Sequence, residues 1–163
     1  MVINRLCKVG KMEEANGLLE LMSQRGLQPD VVTCTTMISG LCKEAKVEEA
    51  NELLEWMIQR GLQPNVVTFT TMINRPCKEG KIEDASGLLE LISQSRLQPD
   101  VVTFTTMING RCKEGKMEEA NGLLELMSQI GLQPNMVTFN AMINGLSTEG
   151  EMEEANALLE LMI

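Results

Sequence analysis

The sequence predicts an all-α fold, an α-solenoid of stacked antiparallel helix-turn-helix repeats. Three observations predict it. A 35-residue unit fills the chain with no residue left over. Each unit holds two stretches with apolar residues at helical spacing. Glycine or proline stands at most places where a helix must stop.

The unit is complete three times, at 31–65, 66–100 and 101–135. Partial copies flank these, at 1–30, which lacks the first five residues, and at 136–163, which lacks the last seven. The chain is therefore read as a single repeat array over 1–163, expected to be a piece of a longer one. Segments 7–30 and 112–135 differ at only three places, Val9/Glu114, Arg25/Ile130 and Asp30/Asn135, which suggests internal duplication.

Within a unit, Phe104, Met107, Ile108 and Arg111 fall at i, i+3, i+4 and i+7, on one face of a first helix. Cys34, Met37, Ile38 and Leu41 hold the same places in the unit 31–65. Ala120, Leu123, Leu124 and Met127 give a second helix the same stripe. Gly115 supplies a left-handed stop between the two. Gly131 and then Pro134 end the second helix. One hairpin cannot bury two apolar stripes, so the hairpins must stack.

Four positions depart from the pattern. Ala45 and Arg96 replace stop glycines, and strain or another cap is expected there. Pro76 falls late in a first helix, where a kink or an early end at Arg75 is expected. Arg111 interrupts an apolar stripe; its stem is expected to pack while its head escapes to water. Gly17, Gly87 and Gly122 lie inside second helices, each costing about 1 kcal/mol relative to Ala. Stability must then come from burial between repeats.

Composition limits the chemistry. There is no His, so His-based triads, general bases and metal ligands are excluded. Aromatic residues make up 2% of the chain, so its 13 Met serve as core filler. Cys7, Cys42, Cys77 and Cys112 recur at one place in successive units. Stacked equivalents sit about 10 Å apart, beyond disulfide reach. These Cys are read as buried hydrophobes suited to a reducing compartment. Cys34 stands where other units carry Phe69, Phe104 and Phe139, and is expected to pack less fully. No run of apolar residues is long enough to span a membrane. No nucleophile–base pair, metal cluster or phosphate loop is present, so no enzyme activity and no cofactor are expected.

The motifs VVTFTTMI, GLCK or GRCKEGK, EEANGLLELM and GLQPD or GLQPN repeat in register across the whole chain. In these the sequence resembles the pentatricopeptide repeat family of the pure 35-residue type. The tetratricopeptide repeat differs by its period of 34 and its Trp-Leu-Gly-Tyr signature. This chain has no Tyr, and Trp56 falls outside that pattern. The resemblance implies a right-handed superhelix and single-stranded RNA binding, one base per repeat. It implies plant organellar RNA processing or stability, in mitochondrion or chloroplast, and allows a restorer-of-fertility-like character. No targeting segment is visible in the chain.

The resemblance assigns base reading to the fifth and last residues of each unit. These are Thr35 with Asn65, Thr70 with Asp100, and Thr105 with Asn135. The family's code implies adenine, guanine and adenine, in 5′ to 3′ order from the N-terminus. Asn140 and Asp30 belong to incomplete pairs; family habit gives Asn140 a pyrimidine. Ionised Asp is acceptor-only and suits the N–H donors of guanine, whereas Asn offers both roles and suits adenine. On the bland alternative, Asp and Asn after Pro are interchangeable turn residues. The second residues Val32, Val67, Val102 and Val137 are implied to sandwich bases, and Lys8, Lys43, Lys78 and Lys113 to contact phosphate. Lysine near a helix C-terminus also complements the helix dipole without any ligand. Thr148 and Glu151 break the basic pattern in the last unit, which is expected to hold phosphate poorly.

The net charge of −9 opposes nucleic acid in bulk. Its Glu residues, such as Glu48, Glu49 and Glu55, cluster on second helices, which are placed on the outer face. The lysine row follows the first helices, which are placed along the groove. Charges more than about 8 Å apart in solvent are largely screened at physiological salt, so local charge dominates. Three complete readers imply micromolar or weaker affinity. The runner-up reading is a protein- or peptide-binding scaffold. End-to-end self-association through uncapped terminal repeats is a further expectation.

Overall fold

The computed structural model describes residues 2–161. Among the described residues there are ten α-helices and no strand. The first helices of the repeats are α1 (Val2–Lys8), α3 (Val31–Lys43), α5 (Val66–Glu79), α7 (Val101–Lys113) and α9 (Met136–Glu149). The second helices are α2 (Met12–Gln24), α4 (Val47–Gln59), α6 (Ile82–Gln94), α8 (Met117–Gln129) and α10 (Met152–Leu161). The chain divides between Arg75 and Pro76 into two compact units. In the first unit α1 packs on α2 and α3, and α3 on α4. In the second, α7 packs on α8 and α9, and α9 on α10.

The turn between paired helices is the same at every repeat. The residue at positions 10, 45, 80, 115 and 150 takes a left-handed backbone, with φ of 77°, 65°, 74°, 71° and 83°. The following amide then reaches the carbonyl five residues back: Lys11 to Leu6 at 2.9 Å, Lys46 to Leu41 at 3.0 Å, Lys116 to Arg111 at 3.0 Å and Glu151 to Leu146 at 2.9 Å. This closure satisfies a carbonyl that the helix end would otherwise orphan. Ala45 adopts the conformation despite its Cβ, as does Arg96 (φ 57°) after α6, so both departures carry the expected strain.

Pro76 does not end its helix. α5 continues through it to Glu79, so of the kink or early end expected at Arg75 the early end does not occur. Proline lacks an N–H but keeps its carbonyl, and in the last turn the carbonyl is what the closure needs. Lys81 N–H donates to Pro76 O at 2.9 Å.

Each unit has an aliphatic, Met-rich core. Ile3, Met12, Met37, Ile38, Leu54 and Met57 are buried in the first. In the second, Ile108, Cys112, Met117, Ala120, Met142 and Leu146 form one cluster, with Leu123 and Leu158 against it. Fully burying side chains of this size contributes about 1.5–3 kcal/mol each. Cys34, expected to pack less fully than Phe, is as shielded from solvent as Phe69 and Phe104. All five cysteines are free thiols.

Arg111 corrects another expectation. Its head is enclosed rather than solvated. One terminal nitrogen lies 2.7 Å from Glu119 Oε2 and the other donates to Ser86 Oγ at 2.8 Å. Among the described residues Nε has no partner. Enclosing a guanidinium on a core stripe requires such pairing, because an unpaired buried charge is strongly destabilising.

Candidate nucleic-acid interface

The last residue of each unit caps the first helix of the next. Asp30 Oδ1 accepts from Thr33 N–H at 2.7 Å and from the Thr33 hydroxyl at 2.6 Å. Asp100 Oδ1 accepts from Thr103 N–H and hydroxyl, both at 2.8 Å. Asn65 Oδ1 accepts from Thr68 N–H at 3.0 Å and hydroxyl at 3.1 Å. Asn135 Oδ1 accepts from Val137 N–H at 3.0 Å, Thr138 N–H at 3.1 Å and Thr138 hydroxyl at 3.2 Å. The carboxylate bonds are shorter than the amide ones, as charge assistance requires. They hold the Asp30 carboxyl below its ordinary value, the Thr33 hydroxyl first and the Thr33 amide second.

The third-place threonines Thr33, Thr68, Thr103 and Thr138 are fully buried, and the sequence reading missed them. The signal was available: Asp or Asn, then Thr three residues on, directly before an apolar run, is a helix-start pattern.

These threonines also join the two members of a predicted reading pair. Thr35 Oγ1 lies 2.8 Å from Thr68 Oγ1, and Thr68 is bonded to Asn65. Thr105 Oγ1 lies 2.7 Å from Thr138 Oγ1, and Thr138 is bonded to Asn135. The fifth and last residues, 30 positions apart in sequence, are thus linked through one buried hydroxyl in each of these two pairs. Thr35 and Thr70 are half-buried and Thr105 is nearly enclosed, while Asp30, Asn65, Asp100, Asn135 and Asn140 are exposed. Thr70 Oγ1 bonds the carbonyl of Val66 at 2.8 Å.

The second-place valines stand in water. Val32, Val67, Val102 and Val137 are 62%, 61%, 59% and 63% exposed. Burial on the core does not explain an apolar residue held at this exposure in four units. On the same helices the third-place Thr is buried and the second-place Val is not, so the exposure belongs to the position.

Two rows of lysine behave differently. Lys11, Lys46, Lys81 and Lys116 each face a carboxylate: Glu14 at 2.8 Å, Glu44 at 3.2 Å, Glu79 at 3.5 Å and Glu114 at 3.3 Å. The Glu44 hydrogen bond raises the Lys46 ammonium above its ordinary value. Lys8, Lys43, Lys78 and Lys113 are exposed in the closing turns of α1, α3, α5 and α7. None of these four makes an ion pair among the described residues.

Elsewhere in the first unit, an open cavity of about 490 Å³ lies between α2 and α4, lined in part by Glu20, Glu49, Glu52, Trp56 and Arg60. The Arg60 guanidinium stacks 4.6 Å above the Trp56 ring. No group of acidic or sulfur ligands able to hold a metal occurs among the described residues. No helix there is long and apolar enough to cross a membrane.

Comparison with known proteins bears on the family and the fold. The model of the PPR repeat family matches residues 1–43, 29–78, 64–113 and 99–148, and a PPR repeat model matches 137–163. The structure of the pentatricopeptide repeat protein PPR10 from maize is similar, with a TM-score of 0.88 at 27% identity over 98% of this chain. PPR10 in complex with an 18-nucleotide psaJ RNA element gives a TM-score of 0.79 at 27% identity, also over 98%. This chain spans 23% and 24% of those two chains, about a quarter of their length. The PPR domain of Arabidopsis thaliana protein-only RNase P 1, in complex with tRNA, shares the fold. Its TM-score is 0.80 at 17% identity, covering 97% of this chain and 83% of that one. No curated protein matches the sequence.

Proposed function

Because the chain belongs to the pentatricopeptide repeat (PPR) family, and its fold is the α-solenoid of that family, we propose that it binds single-stranded RNA, one base per repeat. The reading pairs are Thr35 with Asn65, Thr70 with Asp100, and Thr105 with Asn135, for a core of A-G-A. Val32, Val67, Val102 and Val137 sandwich the bases, and Lys8, Lys43, Lys78 and Lys113 contact phosphate. Asp30 and Asn140 are the reading residues of the two flanking partial copies. The setting is RNA processing or stability in a plant mitochondrion or chloroplast.

One observation carries this reading: the linkage of a fifth residue to its own unit's last residue through a buried threonine, beside an exposed apolar residue. A turn residue needs the cap but not the second link. Among the described residues Lys8, Lys43, Lys78 and Lys113 make no ion pair, which supports the phosphate role, since each lysine of the neighbouring row already faces a carboxylate. Four such contacts imply a salt slope no steeper than about 3 for a single strand.

The test is titration of short RNAs with the purified chain. An AGA core in an oligouridine flank should bind better than oligouridine alone, and Asn65→Asp should shift the preference to GGA. Equal binding to all three sequences would remove the base-reading proposal. The acidic cavity between α2 and α4 favours a second reading, a scaffold for basic peptides. That reading requires peptide binding without RNA binding at low salt. A further cleft of about 310 Å³ lined by Val2, Ile3, Leu18, Leu21, Met22 and Leu27 supports self-association of the chain. Sedimentation showing an ideal monomer at high concentration would refute it.

A further inference from the structure

We propose that Thr68 and Thr138, both fully buried, are specificity-positioning residues: they fix which hydrogen-bonding pattern the reading pair displays. The inference rests on the base-reading role proposed above and adds to it a second layer of residues.

The argument is a count of protons. A threonine hydroxyl has one proton and two lone pairs. Thr68 Oγ1 gives its proton to Asn65 Oδ1 at 3.1 Å and accepts the Asn65 N–H at 3.3 Å. One lone pair remains, so in the 2.8 Å contact Thr35 must be the donor. Its proton is then spent, and Thr35 shows only lone pairs to a base. The opposite assignment would set the Thr68 and Asn65 oxygens against each other without a proton between them.

The same bonds orient the amide. Asn65 Oδ1 is held by the Thr68 N–H and hydroxyl, which turns Nδ2, a donor, away from the cap. Thr138 repeats every part of this. It donates to Asn135 Oδ1 at 3.2 Å, accepts the Asn135 N–H at 3.3 Å, and meets Thr105 at 2.7 Å. Both pairs therefore display one acceptor and one donor.

That pattern complements adenine, whose pairing edge offers an amino donor beside a ring acceptor. With the threonine set against the amino group and the asparagine Nδ2 against the ring nitrogen, it opposes guanine, whose ring nitrogen carries a proton where adenine has a lone pair. It does not separate adenine from cytosine, which shows the same order of groups. At Asp100 the cap likewise occupies Oδ1, and the remaining oxygen is an acceptor, as guanine requires.

The experiment uses the full chain, the variants Thr68→Val, Thr68→Ser and Thr138→Val, and RNAs with AGA, GGA, CGA and AGG cores in one oligouridine flank. Thr68→Val frees the Thr35 proton to rotate. It should reduce the AGA-over-GGA preference about fivefold, the scale of one oriented hydrogen bond. It should leave AGA over CGA and AGA over AGG unchanged, and Thr68→Ser should restore the lost ratio. Thr138→Val should reduce AGA over AGG and spare AGA over GGA, which tests the proposal even where Thr68→Val fails to fold. An unchanged A-over-G ratio in both valine variants overturns the relay while leaving base reading intact. An equal fall of the A-over-C ratio also overturns it, because a loosened fold would do that. Wild-type chain with no preference for A over G at either position overturns both proposals.

Discussion

Gly145 and Cys112 are so close that a methyl on the glycine would lie 2.8 Å from the cysteine Cβ. α9 crosses α7 at this point, and the missing side chain is what permits the approach. Gly122, in α8, has nothing within 4 Å of the same construction. The two glycines predict opposite outcomes. Gly145→Ala should destabilise the chain by about 1–2 kcal/mol, because overpacking outweighs the gain in helix propensity. Gly122→Ala should stabilise it by about 0.5–1 kcal/mol. Thermal unfolding followed by circular dichroism checks both; a loss in the second variant would mean that α8 is packed where its surface is open.

Ala45 and Arg96 hold a left-handed backbone that the corresponding repeats give to glycine. Replacing either with Gly relieves a Cβ clash but also loosens the unfolded chain. The first effect is larger, so each of Ala45→Gly and Arg96→Gly should gain about 0.5–1 kcal/mol, and the gains should add because the sites belong to separate compact units. Denaturant midpoints measure this, with the slope unchanged.

Arg111 predicts a different balance. Three of the four equivalent positions carry leucine, Leu6, Leu41 and Leu146, and the fourth carries Pro76. Replacing a well-paired buried charge by an apolar residue of similar size is often neutral or stabilising, whereas removing one partner is not. Arg111→Leu should therefore lie within about 1 kcal/mol of the parent or above it. Glu119→Ala leaves the guanidinium without its carboxylate and should lose about 1–3 kcal/mol, fewer than for a fully buried partner because Glu119 is half exposed. A larger loss in Arg111→Leu than in Glu119→Ala would contradict this account.

What could be read in the sequence was local. The 3.6-residue stripes and the stop residues each act within a few residues of themselves, and the 35-residue period only repeats them in register; together they set the helix starts at Val31, Val66, Val101 and Met136. What escaped was contact between distant residues. Ser86 receives Arg111 from 25 positions away, and Thr35 meets Thr68 across 33. Neither follows from the composition of its own helix. The early helix end expected at Pro76 failed for another reason. Its lost donor was weighed, and its carbonyl, which carries the turn closure, was not.

Burial pushes the thiols of Cys34, Cys77 and Cys112 up to about 11. The folded values lie above the ordinary 9.0, so the buried thiols' contribution to stability is full below pH 9 and is lost as pH rises towards 11. Two measurements follow. A thiol reagent at pH 8 should leave these cysteines unmodified in the folded chain and react with all of them in denaturant, because thiolate is the nucleophile. Stability should fall between pH 9 and 11, and a Cys34→Ser, Cys77→Ser, Cys112→Ser chain should show a shallower fall.

Asn65 separates capping from reading. Asp30 and Asp100 already cap α3 and α7 through the same oxygen that Asn65 uses before α5. Asn65→Asp should therefore keep stability at pH 7 within about 0.5 kcal/mol, whereas Asn65→Ala loses the cap and about 1 kcal/mol. If Asp and Asn were only turn residues, Asn65→Asp would leave base preference untouched. The base-reading proposal requires it to change, because an acceptor replaces the exposed amide donor. Acid supplies an independent check on the cap. The Asp30 carboxyl is held below its ordinary 3.8, so its stabilising effect is present above that value and is lost as pH falls through the lower folded one. Asn65→Asp should add the same acid sensitivity at α5, which unfolding curves compared at pH 7 and pH 3 would detect. A variant that gains this sensitivity yet binds the same RNA would show that Asn65 caps a helix and reads nothing.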